Sequence, residues 1–211
     1  VRSNGEAGAG KSTVVLKRLL DILLCTMGII FFAPLMALVA VSIKLDSRGP
    51  VLFKQERVGI NGRHFLIYKF RTMAHKSGAG GLQITAGEDK RITRLGKYIR
   101  KYKMDELPQL FNVLRGEMSI VGPRPEVPKY VGMYDDSQRS VLSVKPGITD
   151  YASIEFKTES ELLGKSADPE KTYVEEIMPK KLELNMRYIE EMSVYTDVMI
   201  IFKTVVEILK I

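Results

Sequence analysis

Tryptophan is absent from this chain, histidine occurs twice and cysteine once. With Cys25 alone no intramolecular disulfide can form, and nothing argues for an oxidising compartment, so cytosolic exposure is the simpler reading. His64, His75 and that single thiol offer none of the usual zinc spacings; a metal here has to be a hard cation held by carboxylates and phosphates. Acidic residues are outnumbered, with 32 Lys and Arg against 25 Asp and Glu, a net charge of +7. That surplus implies an anionic partner without choosing among nucleic acid, a phospholipid surface and a phosphorylated substrate. What the chain does have is length for one core, 211 residues with 45% hydrophobic, which predicts one catalytic domain beside one membrane element.

Residues Gly5 to Ser12 fit the GxxxxGK[ST] pattern of a phosphate-binding loop. A working loop of that kind follows a buried strand, and only Val1 to Asn4 precede this one, too short and too polar to supply it. The first residue is not Met, and with the Gly/Ala/Ser composition residues 1–13 read as a tag remnant.

From Ile22 to Ile43 the sequence carries no charge, longer than the about 20 residues that cross a bilayer core. A buried helix in so small a protein would show a polar face, so this is read as a membrane element spanning 14–46. Pro34 lacks an amide donor and opposes the carbonyl of Ile30, which predicts a kink or break at Ala33–Pro34. Basic residues flank both ends, Lys17 and Arg18 before it and Lys44 and Arg48 after it, whereas a spanning helix is basic on one side. The symmetry predicts a re-entrant helix, with Lys17 and Arg18 as anchors at the headgroups.

Beyond Gly49–Pro50, two strands are expected around an Asn61–Gly62 turn, and residues 77–88 are glycine-rich loop. Lys90 to Lys103 has Ile92, Leu95, Ile99 and Tyr102 at helical spacing on an otherwise basic segment. That pattern is either a solvated face packed on the core or, as favoured here, an interfacial helix against anionic headgroups. Past Pro179 helical periodicity returns, and the final stretch from Val198 is too short and charged to span.

The run Met104 to Gly116 reads as a helix capped by Asp105, with Pro108 in its first turn and Gly116 closing it. A cap is the ordinary role of such an aspartate. Glu106 beside it supplies enough further oxygens for the two to share a magnesium ion with a diphosphate. Pro123–Arg124–Pro125 is a rigid turn presenting one guanidinium, suited to bidentate phosphate contact.

These segments, Asp105 to Pro125 together with Tyr68–Met73, Phe53–Gly59, Lys17–Asp21 and Lys145–Thr149, resemble the bacterial sugar transferase family of small monotopic phosphoglycosyl transferases. The resemblance covers Lys17 to Ile211. It implies a helix-rich α+β (α/β) fold, with a re-entrant membrane helix broken at Pro34, a small sheet or hairpin and interfacial amphipathic helices. It further implies a cytoplasmic-face catalytic domain over 47–211 at the bacterial inner membrane. The implied reaction moves a sugar-1-phosphate from a UDP-sugar to undecaprenyl (polyprenyl) phosphate with release of UMP, the first membrane step in building a glycoconjugate. By the same resemblance Asp105 is the nucleophile of a covalent phospho-sugar intermediate, and Glu106 helps hold Mg2+. Arg124, flanked by Pro123 and Pro125, meets the phosphates. Lys69 and Arg71 are further candidates for the nucleotide phosphates, or else exposed strand charges. Where relatives often carry Ser–Pro at the helix break, this chain carries Ala33–Pro34, losing a hydroxyl that could satisfy freed backbone groups.

Three other readings remain: a membrane-bound scaffold in which Asp105 only caps a helix, a P-loop NTPase, and a nucleic-acid binder, which the apolar run opposes. The identity of the sugar is open, with an acetamido sugar favoured. Oligomeric state is also open, and a homodimer is allowed.

Overall fold

The uncharged run, rich in Leu, Ala and Met, forms a single helix α1, Lys11–Asp46, with Pro34 inside it. Helical structure continues through Ala33 and Pro34, and it begins at Lys11, so the last residues of the expected 1–13 remnant are helical. The computed structural model describes residues 11–74, 84–87 and 89–210. Most of the Gly5–Ser12 motif, His75 and most of the 77–88 loop lie outside the described residues. Among the described residues α1 is the one helix long and apolar enough to cross a membrane.

One face of α1 packs on the rest of the protein from end to end. Near its start, Asp21 Oδ1 accepts from Ser119 Oγ at 3.1 Å and Ile120 N at 3.0 Å. In mid-helix Cys25 is fully buried with Ile67, Val113 and Met118, and further on Val39 and Ile43 pack with Phe70 and Ile99. Along the opposite face Leu19, Leu23, Met27, Ile30, Phe31, Leu38 and Val41 are exposed. A helix in water would not hold such a face bare.

Two strands follow, β1 (Leu52–Val58) and β2 (His64–Phe70), paired antiparallel with Leu52 opposite Phe70. Asn61 and Gly62 between them have φ of 55° and 73°, the left-handed pair that a tight hairpin needs. The basic segment forms α2, Arg94–Lys101, capped by Thr93, whose side chain accepts from Gly96 N. It starts later than the sequence suggested. Leu95 and Ile99 face the core with α1, while Tyr98 and Tyr102 are exposed.

The segment after α2 departs from expectation. Lys103 has φ 55°, rare for a side-chain-bearing residue, and the chain turns into a 3-10 turn at Met104–Glu106. The helix α3, Gln109–Leu114, begins only after Pro108, so Asp105 does not cap it. Gly116 does close it, with its N bonded to Val113 O at 2.9 Å.

Two short strands, β3 (Ser119–Val121) and β4 (Gly147–Thr149), pair in parallel, Ser119 beside Gly147 and Val121 beside Thr149. Between them lie the Pro123–Pro125 turn and α4, Pro128–Val131. The remaining helices are α5 (Tyr151–Glu155), α6 (Glu159–Gly164), α7 (Pro169–Thr172), α8 (Met178–Glu190) and α9 (Val194–Leu209). The main core gathers Val127, Tyr130, Leu163, Tyr173 and Leu182. The continuous periodicity past Pro179 is thus two helices, divided where Ser193 accepts from Thr196 N and starts α9.

Candidate active site

Two segments distant in sequence from Glu106 converge on it. Lys69, at the end of β2, donates to Glu106 Oε1 at 3.0 Å. Arg124 donates through Nη2 to the same oxygen and through Nη1 to Oε2 at 3.4 Å. Burial alone would raise the Glu106 pKa, but the charges of Arg124 and Lys69 outweigh it and hold this carboxylate well below the usual range. Glu106 in turn raises the pKa of Arg124, which stays charged. Lys69 is pushed below the ordinary lysine value by burial, against the pull of Glu106.

Asp105 is the neighbour in sequence and the opposite in environment. It is buried, and its Oδ1 has no hydrogen-bond partner among the described residues. Burial first, and then the negative charge of Glu106, push its pKa above the normal aspartate value. The two adjacent carboxylates are displaced in opposite directions: one is fixed as an anion, and the other is held at higher energy when charged.

The arginine turn is braced from both sides. Gly147 N donates to Pro123 O at 3.0 Å, and Arg57 donates to Pro125 O at 3.0 Å and to Glu126 at 3.1 Å. Gly122 and Gly147 touch backbone to backbone: a Cβ on Gly147 would stand 2.1 Å from Gly122 N. Asp150, fully buried, accepts from Arg124 N at 3.2 Å and from Ser153 N at 2.7 Å. Asn112 ties α3 to β2, accepting from Tyr68 N at 3.1 Å and donating to Leu66 O at 2.8 Å. The sequence reading missed both Asp150 and Asn112; the signal for Asn112 was an amide inside the apolar run Leu110–Leu114.

Arg71 is not part of this site. It is buried and donates to Ser47 O at 2.7 Å, to Ile43 O at 3.3 Å and to Arg48 O, closing the C-terminal end of α1 instead of meeting a phosphate. Lys17 and Arg18 also have protein partners in place of the expected headgroups. Lys17 donates to Val121 O at 2.8 Å, to Tyr188 Oη at 3.0 Å and to Asp197. Arg18 donates to Val113 O at 2.6 Å and Leu114 O at 3.0 Å, the last carbonyls of α3.

No group of three or more His, Cys, Asp or Glu able to hold a metal occurs among the described residues. Two carboxylates suffice for magnesium when substrate phosphates complete the shell. Among the described residues Asp105 Oδ1 is a buried carboxylate oxygen without a hydrogen-bond partner, and Glu106 Oε2 has only the 3.4 Å approach of Arg124 Nη1. The residues present therefore fit such an ion.

The family model described as bacterial sugar transferase matches residues 12–211. The chain is 43% identical over 92% of its length to a UDP-N-acetylgalactosamine-undecaprenyl-phosphate N-acetylgalactosaminephosphotransferase of Aeromonas hydrophila, covering 44% of that protein. It is 36% identical over 90% of its length to a UDP-glucose:undecaprenyl-phosphate glucose-1-phosphate transferase of Escherichia coli (strain K12), covering 39% of it. An uncharacterized sugar transferase, EpsL, of Bacillus subtilis (strain 168) is 38% identical and is covered over 88% of its length. The chain thus spans less than half of the first two relatives.

Proposed function

Because this chain belongs to the bacterial sugar transferase family, we propose that it transfers a sugar-1-phosphate from a UDP-sugar to undecaprenyl phosphate, releasing UMP. The observation that carries this reading is the pairing of Glu106 with Lys69 and Arg124 next to the buried, unpartnered Asp105 Oδ1.

Asp105 is the nucleophile of the proposal. Its carboxylate attacks the sugar-bearing phosphorus, the bond from that phosphorus to the bridging diphosphate oxygen breaks, and UMP leaves with the electron pair. The sugar phosphate is then an acyl phosphate on Asp105. An oxygen of the acceptor phosphate attacks the same phosphorus and frees the carboxylate, splitting one hard displacement into two. A desolvated carboxylate is a strong nucleophile, because little water has to be removed before it reacts. Arg124 and Lys69, held in place by Glu106, stabilise charge on the diphosphate and on departing UMP. Magnesium is the cofactor of this reading, held by Asp105 and Glu106, and it supplies charge neutralisation to the diphosphate when bound.

The name of the Aeromonas relative specifies N-acetylgalactosamine, and the donor favoured here is likewise an acetamido sugar. The product lipid begins a surface or secreted glycan.

The proposed placement is monotopic, at the cytoplasmic face of the inner membrane, with α1 dipping into the bilayer, bending at Ala33–Pro34 and returning. Supporting it, both ends of α1 are hydrogen bonded to one globular body, through Asp21 at one end and Arg71 at the other. A helix crossing about 30 Å of hydrocarbon would carry one end out of reach.

The test is UMP release by the protein in nanodiscs with undecaprenyl phosphate, magnesium and a panel of UDP-sugars. UMP from an acetamido donor, lost in Asp105→Asn, is the expected result. UDP release, or UMP release unchanged in the variant, overturns the reading.

A further inference from the structure

Beside the Glu106–Arg124 pair, between α3, β4, α5 and α9, lies a cavity of about 220 Å³. Its walls are mainly Leu107, Leu110, Ile148, Ile154 and Ile208, with Thr149, Ser153, Thr204 and Glu207 among them, and Glu106 and Arg124 also line it. Lys103 and Lys157 stand on the same lining. We propose that this cavity seats the first isoprene units of the acceptor, a polyprenyl phosphate; the inference rests on the transfer reaction proposed above.

The division of chemistry matches that class of molecule. Arg124 and Lys103 on the lining suit an anionic phosphate, and the leucine and isoleucine side chains suit a branched hydrocarbon. An apolar cavity of about 150 Å³ takes benzene, so this one has room for one to two five-carbon units.

Its neighbours lead outward to lipid. The Leu110 side chain lies 3.5 Å from where a Cβ on Gly28 of α1 would be. The other wall, α9, exposes Phe202, Val205 and Leu209 next to Ile208. A prenyl chain leaving the cavity along α9 therefore meets a bare apolar helix face.

The test uses Ile154→Trp and, separately, Ile208→Trp, each of which fills the cavity from a different helix. KM for undecaprenyl phosphate is expected to rise about tenfold or more, since each methylene excluded forfeits about 0.8 kcal/mol. KM for the UDP-sugar stays within about twofold. The same rise with farnesyl phosphate would place the block at the first units. An unchanged lipid KM in both variants, or both KM values rising together, overturns the proposal. A photoreactive prenyl phosphate reads the site without turnover: labelling of α5 or α9 supports the cavity, and labelling elsewhere only contradicts it. If the wild type releases no UMP from any donor, the reaction fails, and the labelling still decides the cavity.

Discussion

Lys69 Nζ stands 3.0 Å from Glu106 Oε1, joining the end of a hairpin strand to the turn that carries Asp105 and Glu106. With Arg124 on the same oxygen, Glu106 is the post to which two cations are tied. In the proposed reaction the two carboxylates separate labour: Glu106 organises charge, and Asp105 reacts.

Removing one of those cations should cost chemistry. Lys69→Met is expected to lower kcat by about 10²-fold or more, the scale seen when one transition-state donor is lost. Steady-state UMP release measures it. The fold should persist, because Arg124 still pairs Glu106.

Stability should respond in opposite directions at the two carboxylates. Asp105 has its folded pKa raised, so ionising it opposes folding. The penalty is absent below the unfolded aspartate value and is complete once pH rises through the folded one. Asp105→Asn should therefore raise Tm at neutral pH while abolishing transfer, with the gain vanishing in acid. Glu106 has its folded pKa lowered, so its contribution is present above the unfolded glutamate value and is lost as pH falls through the folded one. Glu106→Gln should destabilise at neutral pH by about 3 kcal/mol, the low end for breaking a buried pair. Thermal melts across pH read both.

Arg71 tests the difference between sequence and structure directly. Arg71→Ala should reduce stability by about 1.5–3 kcal/mol through lost hydrogen bonds to the end of α1. KM for the UDP-sugar should not change. A large KM increase with an unchanged denaturation midpoint would return Arg71 to the substrate site.

Gly147→Ala should disrupt the β3–β4 pair that positions Arg124. Its Cβ would stand 2.1 Å from Gly122 N, and neither backbone can yield, so a loss near or above the upper end of the about 1–3 kcal/mol typical of overpacking is expected. Chemical denaturation in detergent measures it.

Local features were legible in the sequence. Asn61–Gly62 declared its hairpin because few other pairs accept two left-handed residues, and the uncharged run declared α1. Lys69 and Arg71 looked equivalent, being two apart in a strand pattern. They diverge because β2 ends at Phe70, so alternation no longer governs Arg71. Asp105 looked like a helix cap because nothing local announced that Lys103 would take a left-handed turn. Lys17 looked like a membrane anchor because its partner, Asp197, is 180 residues away. Long-range charge pairing of this kind leaves no periodic trace in the chain.

The most direct test of the central claim is intact-protein mass spectrometry after incubation with the UDP-sugar and magnesium but no lipid acceptor. The account predicts an adduct of one sugar phosphate, mapped to Asp105, absent in Asp105→Asn and discharged when undecaprenyl phosphate is added. UMP formed only when both substrates are present, with no adduct at any time, would contradict a covalent aspartyl intermediate.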